Sequence, residues 1–150
     1  MAHALVDSGV ARWGLMKILL IDPDPIARES FRRASCAELV REVVSAGDFA
    51  TAWSILIEAE RPFDAVFADP GPANGLGFEW LRRIRTAAWS RPVSVVLCLE
   101  SDPETTMRAV EIGARHFVFK PCAPQAIAAK LRQLGQARSN FQFEPAGPRG

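Results

Sequence analysis

Hydrophobic and polar residues alternate along the chain in two different patterns. The first pattern consists of short apolar runs, each bounded by turn-forming residues, and such runs are typical of buried strands. They cover residues 18–21, 40–44, 65–68, 93–99 and 117–119. The sequence therefore predicts five strands.

The second pattern consists of segments with helical periodicity that follow each apolar run, at about 25–35, 49–57, 77–88, 103–113 and 124–135. The segment at 49–57 is the clearest, because its apolar residues recur three and four positions apart and share one helix face. Those residues are Phe49, Ala52, Trp53, Leu56 and Ile57. We expect a helix after every strand.

Two of these helices carry a recognisable start signal. Asp24 precedes Pro25 and Asp102 precedes Pro103. An aspartate accepts hydrogen bonds from the free N–H groups of a first helical turn, and proline is well tolerated at the first helical position. Both dipeptides predict helix N-termini.

Regular alternation of strands and helices indicates an α/β fold in which helices cover both faces of a parallel sheet. With right-handed crossovers, the natural solution is a doubly wound five-stranded sheet of flavodoxin-like order 2-1-3-4-5. We assign residues 16–136 to this domain. Residues 1–15 show no sustained periodicity and are expected to form a flexible extension, and residues 137–150, rich in polar residues, Pro and Gly, a flexible tail.

Composition narrows the functional classes. The 150 residues carry a formal net charge of +1, which gives no overall field to attract nucleic acid or an anionic membrane. No apolar run approaches the ~18 residues of a membrane span, and no secretion signal is visible. Three scattered cysteines (Cys36, Cys98, Cys122) and two distant histidines (His3, His116) form no zinc or redox motif. A reducing, cytoplasmic setting is the simplest expectation.

Charged residues gather where the predicted strands end. Asp22 and Asp24 follow the first strand, Asp69 follows the third, and Lys120 follows the fifth. In doubly wound sheets the carboxyl ends of the strands form the ligand site. Crowded carboxylates favour a hard cation such as Mg²⁺, which prefers oxygen ligands.

Three stretches of the sequence, taken together with their spacing, resemble one family. They are "KILLIDPDP", "DAVFADPGPANGLGFEWLRRIR" and "RPVSVVLCLESDPETTMRAVEIGARHFVFKP". In this order they are similar to the receiver domain of bacterial response regulators, the phosphoacceptor part of two-component signalling. The similarity extends over about residues 16 to 136.

The resemblance implies a role for each site residue. Asp69 matches the aspartate that accepts a phosphoryl group from a histidine kinase, and Lys120 matches the lysine that contacts this group. Phe117 matches the aromatic switch position. Asp22 matches a metal-site acid, and Gly71 matches the position whose backbone carbonyl binds Mg²⁺.

The chain departs from the family at the first strand end, where Pro23 replaces the second of two adjacent acids. Asp24 is an alternative metal ligand one residue further on, although its simpler role is to cap the following helix. Asp22, Asp69 and the Gly71 carbonyl remain as the expected Mg²⁺ ligands. We therefore expect Mg²⁺ to bind weakly.

A second departure lies on the fourth strand, which in the family ends with Ser or Thr. Counting back from Lys120 places Cys98 there, whereas counting forward from Pro92 places Leu97 there. Neither side chain has a hydroxyl group, and a thiol is a weak hydrogen-bond donor. The loop "PGPANGLG" after Asp69 contains no phosphate-binding motif and predicts turns.

These observations favour a non-enzymatic signalling domain that a histidine kinase or phosphotransfer protein phosphorylates on Asp69. The downstream protein is expected on the face formed by helix 4, strand 5 and helix 5, near Arg108, Arg115 and Lys130, and a homodimer is an open alternative. Neither nucleic acid nor membrane is expected as a partner. The main competing hypothesis is an adaptor that works without phosphorylation. A flavodoxin-like cofactor binder is a further alternative that lacks a phosphate loop.

Overall fold

A computed structural model describes residues 15–35, 39–72, 74–86, 93–99 and 102–143 of the chain. Within these ranges strands and helices alternate, as the sequence predicted. The strands are β1 (Met16–Ile21), β2 (Val40–Ala46), β3 (Ala65–Ala68), β4 (Val93–Leu99) and β5 (His116–Lys120). The helices are α1 (Pro25–Ala34), α2 (Phe49–Glu58), α3 (Gly77–Thr86), α4 (Pro103–Glu111) and α5 (Pro124–Phe143).

The strands form one sheet in the order β2-β1-β3-β4-β5, and every neighbouring pair is parallel. This confirms the doubly wound flavodoxin-like arrangement. The register pairs Ile21 of β1 with Ala68 of β3. Asp22 directly follows β1 and Asp69 directly follows β3. The two aspartates therefore lie at the same level, at the carboxyl ends of neighbouring strands.

The sheet buries apolar side chains on both faces, which accounts for its continuous apolar strands. Leu19 and Ile21 of β1 belong to a cluster with residues of α2, α3 and α4. Ile18 and Leu20 of the same strand belong to a second cluster with residues of α1 and α5. Side chains alternate along β1 with the strand period of two, so one strand supplies both cores.

Aspartate side chains cap three helices. Asp24 accepts a hydrogen bond from the Ile26 N–H at 2.9 Å, and Asp102 accepts one from the Thr105 N–H at 3.2 Å. Asp48 caps α2 in the same way, from the Thr51 N–H at 2.7 Å. The two predicted helix starts are confirmed, and the cap at Asp48 is a third that was not predicted.

Some element ends differ from the prediction. β1 begins at Met16 and β2 continues to Ala46, each two residues beyond the predicted run. α5 continues to Phe143, whereas the sequence predicted an end near residue 135 and a flexible tail from 137. The first proline after this helix starts is Pro145, so no helix-breaking proline interrupts the extra turns. The predicted extension, residues 1–14, and the end of the predicted tail, residues 144–150, lie outside the described ranges.

Candidate functional site

Two carboxylates and one ammonium group meet at the carboxyl ends of the strands. Lys120 Nζ donates to Asp69 Oδ2 at 2.7 Å and to Asp22 Oδ2 at 2.8 Å. The three side chains come from β5, from the residue after β3 and from the residue after β1. The geometry thus joins three of the residues that the sequence places at this site.

Asp22 is the buried member of the cluster, with 2% of its side chain exposed. Its Oδ1 accepts a hydrogen bond from the Asp24 N–H at 2.9 Å, while Oδ2 is bound to Lys120. The Arg28 guanidinium donates to the Asp22 backbone carbonyl at 2.6 Å and so ties α1 to the strand end. Asp22 is held by contacts to both carboxylate oxygens and to its backbone.

Asp69 is the more accessible carboxylate, with 24% of its side chain exposed. Its Oδ1 accepts a hydrogen bond from the Gly71 N–H at 2.9 Å. Gly71 has a φ of 77°, in the left-handed region that glycine adopts at little cost. The turn after β3 therefore orients the Asp69 carboxylate, and the expected role of the Gly71 carbonyl as a metal ligand stays a prediction.

Lys120 is charged in this environment. Burial lowers the pKa of Lys120, but its hydrogen bonds to Asp22 and Asp69 and their negative charges outweigh burial, so the pKa lies above its ordinary value of 10.5. Two carboxylates against one ammonium leave a formal charge of −1. This remaining charge suits a cation or an electrophilic phosphorus atom.

Asp24 takes part in the helix start rather than in this cluster, since its Oδ1 accepts the Ile26 N–H. Within the described ranges, no group of three or more His, Cys, Asp or Glu side chains is arranged to hold a metal ion. Pro23 is exposed at the position between Asp22 and Asp24. Among the described residues, the carboxylates that meet at the strand ends are therefore those of Asp22 and Asp69.

The two candidates on β4 differ in their surroundings. Leu97 is buried in the cluster beneath α1 and α5, away from the strand-end rim. Cys98 follows it in β4 and is paired in register with Phe119 of β5, while its side chain is outside the described part. Phe117 is half-buried against the cluster on the opposite face, beneath α2, α3 and α4. The switch roles of Cys98 and Phe117 stay predictions.

The loop between β3 and α3 packs tightly against itself. A Cβ atom added to Gly77 would lie 1.8 Å from the carbonyl oxygen of Pro70, so only glycine fits at the start of α3. The Gly75 N–H donates to the Pro72 carbonyl at 2.9 Å, which closes a turn. The glycines and prolines of this loop thus position the residues next to Asp69, as the predicted turn chemistry requires.

Two structural roles, one of Arg28 at the site and one of Asp48 at the start of α2, were absent from the sequence-based assignment. In the sequence, Arg28 was visible only as a basic residue six positions after Asp22. The hydrophobic and polar pattern gave no indication of its hydrogen bond to the Asp22 backbone carbonyl. Asp48 stands directly before the periodic segment that begins at Phe49, so its position as a helix cap was a readable signal.

Comparison with known proteins identifies the family. The sequence model of the response regulator receiver domain matches residues 18–132, well over half of the chain. The chain belongs to this family. The match places Asp22, Asp69, Phe117 and Lys120 inside the receiver domain.

Curated relatives of this receiver domain include response regulator MprA from two mycobacteria. The protein from Mycobacterium avium (strain 104) is 30% identical, and that from Mycobacterium sp. (strain KMS) is 31% identical. Each match covers 79% of this chain and 50% of the relative. The chain thus spans about half the length of the curated relatives that it matches.

Solved structures show the same fold. Chemotaxis response regulator CheY4 of Vibrio cholerae has a TM-score of 0.68 at 22% identity, covering 81% of this chain and 99% of that one. The REC domain of AraT from Geobacillus stearothermophilus has a TM-score of 0.73 at 18% identity, covering 86% and 99%. Among the described residues, no helix of the receiver domain has both the length and the hydrophobicity to cross a bilayer.

Proposed function

We propose that this receiver domain is a phosphoacceptor whose acceptor residue is Asp69. The observation that carries the proposal is the 2.7 Å hydrogen bond between Lys120 Nζ and Asp69 Oδ2. It places a positive charge beside the one carboxylate of the cluster that is appreciably exposed. A histidine kinase or a phosphotransfer protein would supply the phosphoryl group, and this chemistry would take place in the cytoplasm.

In the transfer, an oxygen of Asp69 attacks the phosphorus atom of a phosphohistidine. A phosphorus–oxygen bond forms, the phosphorus–nitrogen bond breaks, and the leaving imidazole keeps the electron pair. The Lys120 ammonium stabilises the negative charge on the phosphoryl oxygens. Asp22 keeps Lys120 in place, because its carboxylate binds the same ammonium at 2.8 Å.

The residues present are compatible with Mg²⁺. Asp22 and Asp69 are hard oxygen donors, and Mg²⁺ often takes one or two carboxylates with water completing the octahedron. When bound there, Mg²⁺ would neutralise the charge that develops on the phosphoryl group. Pro23 supplies no side-chain donor, so binding is expected to be weaker than at a site with three acids.

We place the surface that responds to phosphorylation on α4, β5 and α5. Met107 and Val110 of α4 and Phe119 of β5 are exposed large apolar side chains. Phe117, two residues before Phe119 in β5, shares its side of the sheet and points toward the core beneath α4. Backbone chemical shifts recorded with and without phosphodonor should change on this face, and changes centred on α2 would contradict the assignment.

The acceptor role is tested with acetyl phosphate and Mg²⁺, followed by the intact mass of the protein. Wild type should gain the mass of one phosphoryl group and Asp69→Asn none. Asp48→Asn is a suitable control, because Asn is also a good helix cap and that carboxylate lies at the start of α2. Labelling that persists in Asp69→Asn would overturn the assignment.

A second candidate function is an adaptor that binds its partner without phosphorylation. It is favoured by Pro23 at the family's acid position and by the finding that, among the described residues, no third acid is grouped with Asp22 and Asp69 in a metal-binding arrangement. This hypothesis predicts that wild type and Asp69→Asn bind the partner with equal affinity. No phosphoryl gain in wild type, with or without Mg²⁺, would make the adaptor the leading function.

A further inference from the structure

A cavity of about 510 Å³ opens next to Asp69, on the side of the site away from Lys120's own strand. Its walls come from described residues after β1, at the start of α2, in the β3–α3 loop and at the start of α3. The volume lies within the range of small-molecule sites in proteins, roughly 300–1,000 Å³. Its apolar side chains include Phe49, Pro70, Leu76 and Trp80.

Several described residues of the walls restrict the backbone around the cavity. Pro23, Pro70 and Pro72 stand around the cavity, and proline fixes its own backbone angle. Because Gly77 has no side chain, the start of α3 packs directly against the carbonyl oxygen of Pro70, where no larger residue would fit. A ligand entering such a cavity orders little additional chain, which lowers the entropic cost of binding.

The cavity is also distinctive in its charge. Among its described lining residues the charged side chains are Asp48 and Asp69. Lys120 is bound to Asp69, and the Arg28 guanidinium lies next to Gly47, so Asp48 is the lining carboxylate without a basic partner among the described residues. Hydrogen bonds from Thr51 hold the pKa of Asp48 below its ordinary value of 3.8, so this carboxylate is ionised at neutral pH. The Trp80 ring already attracts a cation, since the Arg83 guanidinium carbon lies 4.9 Å from its centroid.

We propose that this cavity binds a small organic cation with an aromatic or similarly apolar body. The ring would pack against Phe49, Leu76 and Trp80, and the ammonium group would lie toward the carboxylates of Asp48 and Asp69. Pro23 favours binding of an apolar body, because it gives the cavity an apolar side chain at a position where the family has a carboxylate. Such a ligand would restrict access to Asp69, although its binding does not depend on phosphorylation.

Three probes of nearly equal size separate the contributions of charge and apolar contact. 2-Phenylethylamine is a cation at neutral pH, 2-phenylethanol is its neutral analogue, and 3-phenylpropanoate is an anion. Each is titrated into the unphosphorylated protein while the amide signals of Gly47, Gly71 and Gly75 and the Trp80 indole signal are followed by NMR. The amine should shift these signals saturably and should bind about fivefold more tightly than the alcohol.

A charge variant tests the carboxylate. Asp48→Asn should keep the cap of α2, because Asn is as good an N-cap as Asp, and should bring the amine affinity closer to that of the alcohol. Asp102→Asn changes a capping aspartate in the same way on α4, outside the cavity, and should leave both affinities unchanged. Equal effects of the two variants would overturn the proposal.

A rim variant tests the apolar wall. Leu76 is 76% exposed, so Leu76→Lys should not unfold the protein, and its ammonium should weaken amine binding by about tenfold. Met107→Lys is the matched control, since Met107 is 64% exposed and lies on α4. Equal affinity for amine, alcohol and anion, or shifts that do not saturate, would also overturn the proposal. Each of these readouts is independent of whether Asp69 accepts phosphate.

Discussion

Lys120 and Asp22, which lie 98 positions apart in the chain, are joined by a 2.8 Å hydrogen bond between Nζ and Oδ2. They belong to β5 and to the end of β1, and in the sheet β3 and β4 lie between these strands. The lysine therefore crosses the strand-end rim to reach Asp22, and it contacts Asp69 on the way. One ammonium group neutralises part of a two-carboxylate site.

Removing this ammonium should destabilise the fold. Lys120→Met leaves Asp22, with its side chain 2% exposed, beside Asp69 with no cation between them. Loss of a charged partner from a mostly buried group should lower the free energy of unfolding by about 2 kcal/mol. Urea denaturation followed by circular dichroism measures the change.

Two comparisons make this result specific. Lys130→Met removes an ammonium that donates to the exposed side chain of Gln133, and it should cost less than about 0.5 kcal/mol. The double variant Lys120→Met/Asp69→Asn should be more stable than Lys120→Met, because only one carboxylate then remains charged. A double variant no more stable than the single one would argue against carboxylate repulsion as the cause.

Restoring the missing acid should strengthen the metal site. Pro23 is exposed, so Pro23→Asp is expected to fold, and it adds a third carboxylate close to Asp22. An additional charge near a partly solvated ion contributes roughly 1–2 kcal/mol, so Mg²⁺ affinity should rise about tenfold or more. Isothermal titration calorimetry with MgCl₂ measures the affinity.

Asp24→Asn is the control for this experiment, since it removes a carboxylate but keeps an oxygen that can cap α1. Because Asp24 Oδ1 binds the Ile26 N–H, we expect Mg²⁺ affinity to stay unchanged in this variant. A marked loss of Mg²⁺ affinity in Asp24→Asn would show that Asp24 is a ligand. If wild type bound Mg²⁺ tightly and Pro23→Asp left the Mg²⁺ affinity unchanged, the claim that Pro23 weakens the metal site would be contradicted.

The contact between Gly77 and Pro70 should make Gly77→Ala costly. The new Cβ would overlap the Pro70 carbonyl oxygen, and the displaced loop should lower the free energy of unfolding by about 1–3 kcal/mol. Gly135→Ala on α5 is the matched control, because its Cβ would meet Leu39 at an ordinary 3.9 Å. Replacing a helical glycine there should leave stability equal or raise it by up to ~1 kcal/mol. If Gly77→Ala left the free energy of unfolding unchanged, the loop would have to move away from the new Cβ at little cost, which would contradict this prediction.

His116 should make stability depend on pH. Burial, followed by the positive charges of Lys130 and Arg115, holds the pKa of His116 below its ordinary value of 6.5. The unfolded chain therefore binds a proton more readily than the folded chain. This part of the stability is complete above pH 6.5 and is lost as the pH falls through that value toward the lower folded pKa.

Urea midpoints measured between about pH 7.5 and 5.5 test this prediction. The decline with falling pH should be smaller in His116→Gln than in wild type. It should also be smaller in Lys130→Met, because one of the charges that lower the pKa of His116 is then absent. Identical pH profiles for wild type and His116→Gln would contradict the assignment.

The fold was predictable from the sequence, and so was the proximity of Asp22 and Asp69 at the strand ends. Alternating periods specified the strands and helices, and both aspartates directly follow strands that are neighbours in the doubly wound order. The bridge from Lys120 to Asp22 was not predictable, because it depends on the reach of one side chain across two intervening strands. The cavity was not predictable either, since it arises from the backbone course of a loop rich in Gly and Pro.

The end of α5 shows another limit. Residues 136–143 lack apolar periodicity, and composition alone therefore favoured a tail, but polar residues also continue a helix that has already begun, since extension costs less than nucleation. Pattern-based reasoning identifies an element by the face that it buries. It says little about where a helix ends when its last residues show no apolar periodicity.

Locating the phosphoryl group is the most direct test of the central claim that Asp69 is the acceptor. After treatment with acetyl phosphate and Mg²⁺, borohydride reduces an aspartyl phosphate to homoserine, and tandem mass spectrometry then locates the modified residue. We predict homoserine at position 69 in wild type and none in Asp69→Asn. Homoserine at Asp22 or Asp24, or no modified residue in wild type, would contradict this account.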